Sequence, residues 1–366
     1  MMKLNCLQED LAYGLGVVKR AVATRSVLPV LSNVMLSTDG DKLKLSATDL
    51  EIGINCWIEA VIETEGSTTV PARSFADWVN SLPHEPVYVE LDESTETLKL
   101  KCSSVKANFK GISAEEFPIV PIAEEVVPID ASLFREMVSQ VSMAAAQDES
   151  RPILEGVLLE ATQDKMTMAA ADGFRLATRS IQPNIFNKDT SVIIPATTLN
   201  EAAKLGCTEL QLNERQAIFQ GKDFNVISQL IEGQFPTYEQ IIPKEFTTEV
   251  TVDTQALLIA CKRIQVFARE AANLAKLKIE PEGIGISSVG TEIGDCQDVI
   301  PSTMTGKSLE IGINVKYLVD ALSTMPAGDT ILRMNSPSNP VMLVPSNKDI
   351  DLIVVIMPMQ IKQYND

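Results

Sequence analysis

The same order of segments, a helix, strands, a second helix and further strands, recurs three times along this chain, at intervals of about 120 residues. Amphipathic helical patterns open the repeats at 8–25, 130–146 and 253–270. A second helix is predicted each time directly after an apolar strand end, at Val70-Pro71-Ala72, Ile194-Pro195-Ala196 and Ile313-Asn314-Val315. A period of this length matches whole domains and is too long for a solenoid unit. The sequence therefore predicts three copies of one domain, at 1–122, 123–246 and 247–366.

Strand patterns fill the rest of each repeat. Short segments alternate between apolar and polar residues, or form brief apolar runs bounded by Gly, Asn, Asp or Pro, for example at 42–46, 87–91, 98–102 and 350–356. Alternation of this kind is typical of antiparallel strands that bury one face. Each repeat is therefore predicted to be α+β, with two helices packed on one side of antiparallel sheet.

Composition limits the cellular setting. The 366 residues carry a formal net charge of −18 and a pI near 4.6. The six cysteines are scattered through apolar segments without any C-x-x-C spacing, which favours buried, reduced thiols over disulfides or a metal site. No apolar run reaches membrane-spanning length, and Glu9-Asp10 interrupts a secretory pattern. We expect a cytoplasmic protein.

Residues suited to catalysis are scarce. The chain has a single histidine, His84, which stands between Pro83 and Pro86 and is expected to be exposed in a loop. No Gly-rich, Lys-containing phosphate loop is present in the sequence. We therefore expect no catalytic residue, no bound metal and no cofactor.

The predicted helices differ in charge from the rest of the chain. Windows 8–25, 72–82, 130–146, 197–206, 253–270 and 314–326 together hold ten Lys or Arg against nine Asp or Glu. These windows carry a net charge of +1. Because the whole chain carries −18, the residues outside the windows carry −19. The basic residues lie opposite the apolar stripe of each helix, as Arg73 does relative to Phe75 and Val79. Solvated helix faces often carry Lys and Arg, but recurrence in all six helices favours a functional basic face.

Six short segments, in order along the chain, carry a resemblance to a known family. They are Arg25-Ser26-Val27-Leu28-Pro29-Val30-Leu31, Val70-Pro71-Ala72-Arg73, Asp148-Glu149-Ser150-Arg151-Pro152, Asp172-Gly173-Phe174-Arg175-Leu176, Gly233-Gln234-Phe235-Pro236 and Met357-Pro358-Met359-Gln360-Ile361. In these segments and their spacing the whole chain resembles the β sliding clamp family, the processivity subunit of bacterial DNA polymerase III.

The resemblance implies a head-to-tail homodimer that closes into a ring around double-stranded DNA. With six helices from each protomer spaced about 10 Å apart around such a ring, the central opening is roughly 28 Å wide. This is enough for a duplex and a layer of water. Basic helix faces would then meet phosphates through non-specific, salt-dependent contacts. The residues expected to contact DNA are Arg20, Arg25, Arg73, Arg135, Arg151, Lys204, Lys262, Arg263 and Lys316. The dimer contact is expected to join Phe109 of one protomer to Val266 and Phe267 of the other.

The resemblance also implies a pocket between the second and third domains. In the family this pocket binds a short, Gln-led hydrophobic motif of the polymerase III catalytic subunit, the clamp loader, other polymerases and repair proteins. Carried over position by position, it comprises Leu154, Gly173, Phe174, Arg175, Leu176, Pro243, Val355, Ile356, Met357, Pro358 and Met359. Methionine side chains can repack around different partners. Phe174 stands where relatives often have His, and residues 362–366 continue past the usual family end, with a role that the sequence leaves open.

An enzyme is the alternative to a clamp. Its site would be built from charged residues that are close together in repeat two, namely Asp148, Glu149, Arg151, Asp172 and Arg175. The same residues can instead serve loop solvation and an Asx-type turn at Asp172-Gly173.

Overall fold

The first repeat alternates helices and strands as the sequence predicted. In the computed structural model, which describes residues 2–23, 28–118, 126–148, 150–162, 164–182, 186, 189–290 and 292–361, repeat one contains β1 (Lys3–Leu7), α1 (Gln8–Val18), β2 (Asn33–Asp39), β3 (Lys42–Thr48), β4 (Ile52–Glu59), β5 (Val61–Thr64), β6 (Ser67–Pro71), α2 (Ala72–Asn80), β7 (Pro86–Asp92), β8 (Thr97–Cys102) and β9 (Val105–Lys110).

The other two repeats follow the same order. Repeat two contains β10 (Val127–Pro128), α3 (Ala131–Ser142), β11 (Gly156–Thr162), β12 (Lys165–Ala171), β13 (Arg175–Ile181), β14 (Thr190–Pro195), α4 (Ala196–Leu205), β15 (Glu209–Leu212), β16 (Gln216–Gln220) and β17 (Phe224–Gln229). Repeat three contains β18 (Thr248–Asp253), α5 (Thr254–Ala268), β19 (Leu274–Glu280), β20 (Gly283–Gly290), β21 (Gly294–Ile300), β22 (Ser302–Gly306), β23 (Leu309–Asn314), α6 (Val315–Thr324), β24 (Asp329–Met334), β25 (Val341–Pro345) and β26 (Asp351–Ile356).

The second helices begin where the sequence placed them. α2, α4 and α6 start directly after β6, β14 and β23, so the predicted strand-to-helix steps are confirmed. The first helix of repeat one is shorter than predicted: α1 ends at Val18, and a 3₁₀ turn at Lys19–Ala21 follows. Val22 is already extended, with φ −78° and ψ 124°, although its partly buried side chain continues the apolar pattern. Arg20 therefore lies in the 3₁₀ turn and not on the helix.

Met1–Ser132 and Thr197–Leu230 form one packing unit. It contains an antiparallel five-stranded sheet, in the order β5-β1-β7-β8-β9, and an eight-stranded one, in the order β10-β15-β16-β17-β4-β3-β2-β6. α1 packs on α2 and on β4, which buries Leu11, Leu15 and Phe75 completely or nearly so. The β17–β4 pairing joins repeat two to repeat one. It also carries a buried hydrogen bond of 2.9 Å from Asn55 to Asn225.

Leu133–Ala196 and Ile231–Asp366 form the second packing unit. It contains a nine-stranded sheet, in the order β14-β11-β12-β13-β26-β25-β24-β18-β22, and a four-stranded sheet, in the order β21-β20-β19-β23. α5 packs against α6, which buries Leu257, Ile264, Leu318 and Leu322. Here the β13–β26 pairing joins repeat two to repeat three.

Repeat two thus divides its elements between both packing units. α3 and β11–β14 pack with repeat three, whereas β10, β15–β17 and nearly all of α4 pack with repeat one. Each repeat has the predicted α+β composition, and its strands pair antiparallel throughout the described residues. The boundaries at 1–122, 123–246 and 247–366 stay a prediction, because sheet continuity across the repeats obscures where one domain ends.

The cysteines are free thiols, as predicted. Five are buried and Cys296 is partly exposed; the buried ones are Cys6, Cys56, Cys102, Cys207 and Cys261. Desolvation by burial raises the pKa of Cys6 and Cys261 to about 12, because a thiolate is poorly solvated in an apolar core. These thiols are therefore part of the packing.

Candidate functional site

A strand pairing brings together two segments that the sequence assigned to one pocket. β13 and β26 run antiparallel, with Leu176 opposite Val355. The pairing continues past the end of β26, where the Met357 amide donates to the Phe174 carbonyl at 2.8 Å. The end of repeat three therefore lies directly beside the turn that precedes β13.

An Asx turn shapes the start of β13, which is the structural alternative that the sequence offered to a catalytic role for Asp172. The Oδ1 atom of Asp172 accepts hydrogen bonds from the amides of Phe174 at 2.8 Å and Arg175 at 2.9 Å. Gly173 has φ +89°, a conformation that glycine adopts without the steric cost of a Cβ. The turn directs Phe174 outward, so that 59% of this residue is exposed.

Arg175 is held beneath this turn and is 8% exposed. Its Nε donates to Asp172 at 3.1 Å and its Nη1 donates to Asp320 on α6 at 2.7 Å. The guanidinium lies over the Tyr317 ring, 4.4 Å from the ring centroid, and Nη1 also contacts the Met143 sulfur at 3.9 Å. Burial raises the pKa of the Tyr317 hydroxyl. Arg175 thus links the turn at Asp172 to α6.

An apolar cluster forms the floor under the two segments. Its buried members are Leu158, Ala169, Leu176, Ile193, Phe235, Tyr238, Met342 and Val355. Partly buried side chains packed against it are Ile153, Leu154, Ala171, Ile231, Ile242, Phe246, Val344 and Ile353. The floor draws on segments of repeats two and three that are far apart in sequence.

The predicted pocket residues divide into a floor and a rim. Leu176, Val355 and Ile356 are at most 1% exposed, so these three side chains belong to the core beneath the surface. The predicted residues that reach solvent, fully or in part, are Leu154, Gly173, Phe174, Pro243, Met357, Pro358 and Met359. The candidate rim is therefore narrower than the full predicted set.

Sequence reasoning missed several residues of this region. Tyr317 and Asp320 are three positions apart on α6, which places them on one helix face, but the spacing alone does not show which strand they face. Ile242 and Val344 were missed because only the folded sheet brings them to the cluster.

Among the described residues after β26, one backbone bridge joins the segment to repeat three. The Met359 amide donates to the Gly312 carbonyl at 2.8 Å. A Cβ on Gly312 would lie 2.4 Å from the Met359 carbonyl oxygen, so a side chain there requires a backbone shift. The bridge holds Met357, 38% exposed, and the half-buried Met359 at the surface.

We expect Gly312→Ala to detach this segment without unfolding the sheet. The new methyl group displaces the Met359 carbonyl, and losing one hydrogen bond worth about 1 kcal/mol should speed exchange of the Met359 amide roughly fivefold. Hydrogen exchange measured by NMR or mass spectrometry checks this. The matched control is Gly285→Ala in β20 of the same sheet, where the added Cβ meets only Lys278 atoms at 3.5 Å or more. Equal exchange in both variants would contradict the bridge.

The predicted DNA-contacting cations are exposed wherever the structure describes them. Arg25 lies outside the described residues. The remaining exposed cations are Arg20, Arg73, Arg135, Arg151, Lys204, Lys262, Arg263 and Lys316. Their exposure agrees with the helix stripes, apart from Arg20 in its 3₁₀ turn and Arg151, which precedes the 3₁₀ turn Pro152–Glu155.

Several of these cations have carboxylate partners. Glu201 on α4 accepts from Arg20 at 2.6 Å and from Lys204 at 2.7 Å. Burial desolvates Glu201, yet these hydrogen bonds lower its pKa below the ordinary value. Arg263 pairs with Asp298 at 2.6 Å.

Three of the other cations have no such partner among the described residues, and Arg151 borders the Asx turn. Within the described residues, no carboxylate lies at ion-pair distance from Arg73, Lys262 or Lys316. Arg151 pairs with Asp148 at 3.2 Å. Its Nη1 is 2.8 Å from the position of a Cβ on Gly173, so Arg151 borders the Asx turn.

The predicted dimer-contact residues lie on two surfaces. Phe109 is on β9, an edge strand, and packs edge-to-face against Phe75 at 5.4 Å and Trp78 at 5.8 Å. On α5, Val266 is 53% exposed and Phe267 is partly buried. Both surfaces are accessible in the single chain.

The charged residues of the enzyme alternative that the structure describes are paired with one another. Asp172 and Arg175 pair with one another in the turn, Asp148 pairs with Arg151 at the surface, and Glu149 lies outside the described residues. The His84 side chain is 75% exposed, with Nδ1 3.2 Å from Glu9. Among the described residues, no group of His, Cys, Asp or Glu side chains could hold a metal ion. No helix in the described part of the chain is long and apolar enough to span a membrane.

Comparisons with known proteins match all three repeats. Residues 2–121, 128–237 and 239–360 match the N-terminal, central and C-terminal domains of the family described as DNA polymerase III beta subunit. The beta sliding clamp of Synechococcus elongatus is 33% identical over 376 residues, which cover 99% of this chain and 100% of that protein.

Solved structures agree. The DNA polymerase sliding clamp from Bacillus subtilis superposes with a TM-score of 0.93 at 27% identity and covers 99% of this chain and 100% of its own. A sliding clamp from Pseudomonas aeruginosa, solved bound to griselimycin, has a TM-score of 0.90 at 28% identity and covers 98% of this chain and 100% of its own.

Three like domains of two helices and antiparallel sheet define a processivity clamp. The chain belongs to the bacterial DNA polymerase III beta subunit family, the β sliding clamps of DNA replication. The family is the non-catalytic subunit of the polymerase, so the enzyme alternative is wrong.

Proposed function

We propose that this chain encircles double-stranded DNA as a head-to-tail homodimer and tethers the DNA polymerase III catalytic subunit during synthesis in the cytoplasm. The same ring would serve the clamp loader, other polymerases and repair proteins. The observation that carries the proposal is the match of all three domains to the family along nearly the whole chain. Exposed cations would supply the DNA-contacting surface and the exposed apolar rim would supply the partner surface.

The proposed DNA contacts are weak and independent of sequence. Arg73, Lys262 and Lys316 are exposed and without a carboxylate partner among the described residues, so their full charge is available to phosphates. Arg20 and Lys204, both exposed, share the partly buried Glu201, and ion pairs of exposed cations contribute only about 0–1 kcal/mol. A phosphate can therefore replace the carboxylate at small cost. Such contacts permit sliding, while the closed ring provides retention.

We expect the loaded clamp to stay on nicked circular DNA and to leave linear DNA through its ends. Replacing Arg73, Lys262 and Lys316 by alanine should lower the salt dependence of binding by about one counterion unit per lost contact, without creating sequence preference. Filter binding across a salt series measures the slope, and Lys348→Ala, in an exposed loop of repeat three, is the control. Equal retention on linear and circular DNA would refute the ring.

The proposed dimer joins two edge strands of opposite charge. β9 ends its five-stranded sheet and carries Lys106 and Lys110, whereas β21 ends its four-stranded sheet and carries Asp295 and Asp298, of which Asp298 also pairs with Arg263. Unpaired edges are open to pairing with a second chain. A head-to-tail contact made twice closes a two-fold ring. Phe109 of one protomer would then face Val266 and Phe267 of the other.

We expect Phe267→Glu to yield soluble monomers. The substitution would bury an unpaired charge at the proposed contact, which costs several kcal/mol. Sedimentation at micromolar concentration distinguishes a monomer of 39.9 kDa from a dimer of twice that mass. Leu50→Glu changes another exposed apolar residue, 51% exposed, and should leave the dimer intact. A Phe267→Glu dimer would place the interface elsewhere.

The proposed partner pocket is the rim above the repeat two and repeat three cluster. Phe174, Met357 and Met359 offer apolar, adaptable surface. Leu176 and Val355 of the buried cluster are two residues away in sequence from Phe174 and Met357, respectively. The griselimycin complex of the Pseudomonas aeruginosa relative supports a ligand site in a clamp of this fold. A short hydrophobic peptide motif is the proposed occupant.

We expect Met359→Ala to weaken binding of a Gln-led hydrophobic peptide by about 1–3 kcal/mol, the range for truncating a buried anchor. Deleting 357–366 should abolish binding and leave the dimer intact. Deleting only 362–366, which lies outside the described residues, should tighten binding if this tail covers the pocket and change nothing if it does not. Calorimetric titration compares the variants, and unaltered binding by the longer deletion would remove the pocket from this position.

A further inference from the structure

We propose that Asp320 is a positioning residue for the partner pocket. From α6 of repeat three it fixes the Arg175 guanidinium, and through Arg175 it holds the rim residue Phe174 in place for a bound peptide. The inference rests on the proposed function of the pocket, and it requires no contact between Asp320 and the peptide.

The carboxylate nearest to Arg175 in sequence is already occupied. Asp172 Oδ1 accepts the amides of Phe174 and Arg175, and Asp172 Oδ2 accepts Arg175 Nε at 3.1 Å. Asp172 therefore fixes the backbone turn and the near side of the guanidinium. The far side has to be held by another element.

α6 supplies that second hold from repeat three. Asp320 Oδ2 accepts Nη1 at 2.7 Å, and the Tyr317 ring, almost one helical turn earlier, lies 4.4 Å from the guanidinium carbon. A planar guanidinium can stack on a ring and pair with a carboxylate at the same time, which a lysine ammonium cannot do. The other contact of Nη1 among the described residues is the Met143 sulfur at 3.9 Å, a weak acceptor.

Burial makes the pair sensitive to the loss of one partner. The Arg175 side chain is 5% exposed, and those of Asp172 and Asp320 are 12% and 30% exposed. Removing Asp320 would leave Nη1 without its charged acceptor while Asp172 still holds Nε, and a buried group that loses a charged partner is costly, so the far side of the guanidinium would shift toward solvent. Arg175 follows Phe174 directly in the chain, and the Phe174 carbonyl accepts a hydrogen bond from the Met357 amide at 2.8 Å. A shift of Arg175 would therefore displace both Phe174 and Met357, which are on the rim of the proposed pocket.

The test is calorimetric titration of the full-length dimer with two probes, griselimycin and a synthetic Gln-led hydrophobic peptide. Asp320→Ala should weaken binding of the peptide about tenfold, the range for losing a charged hydrogen bond. Asp320→Asn keeps an acceptor and should lose less. Asp349→Ala, which removes an exposed carboxylate of the same repeat, should bind like the parent chain. Thermal melts of each variant establish that it is folded.

A double-mutant cycle separates positioning from a general effect on α6. In an Arg175→Met background, Asp320→Ala should change peptide affinity by less than about twofold, because the group it acts on is gone. A full Asp320→Ala effect in that background overturns the proposal. Parent-like affinity of Asp320→Ala, alongside weakened Met359→Ala, overturns it while sparing the pocket. If Met359→Ala also binds like the parent, the pocket assignment fails and the proposal with it.

Discussion

Pairing between strands of neighbouring repeats is the interaction on which the rest of this structure depends. A lone repeat would leave β4 or β13 with one edge unpaired, and exposed edges invite aggregation. The chain resolves this internally, because β17 pairs with β4 and β26 pairs with β13. Each pairing extends a sheet across a repeat boundary. At the second boundary the same pairing also creates the candidate pocket.

Both repeat boundaries contain an Asx turn, but the residues that follow the turn differ. Asp49 caps its turn through the amides of Glu51 and Ile52, as Asp172 does for Phe174 and Arg175. At the first boundary Leu50 occupies the left-handed position with φ +83°, where the second has Gly173. The next residues differ more, since Glu51-Ile52 replaces Phe174-Arg175. Among the described residues, the buried Arg175 stands where the first boundary has Ile52, and α6 holds Arg175 in place through Asp320.

The amino-acid pattern was sufficient for what depends on local chemistry. Helix stripes, strand alternation, the strand-to-helix steps and the Asx turn at Asp172 depend on neighbouring residues and were predicted. Periodicity does not predict contacts between distant segments. The apolar run at 350–356 predicts a strand, but not that β13 is its partner. The resemblance brought Arg175 and Met357 together, yet it did not show that Arg175 is buried under Asp320, because that depends on how α6 packs.

The pairing of β26 with β13 also orders events during synthesis of the chain. β13 is made midway through synthesis and β26 near its end. The nine-stranded sheet therefore cannot be completed until β26 leaves the ribosome. The unit formed by Met1–Ser132 and Thr197–Leu230 has all its strands once Leu230 has emerged. During the remaining elongation β13 has an open edge, and that interval is when a growing chain has most need of a chaperone. Loss of the final strand in a truncated product would leave that edge exposed permanently, and such a product should be cleared by proteolysis instead of accumulating as a partial clamp.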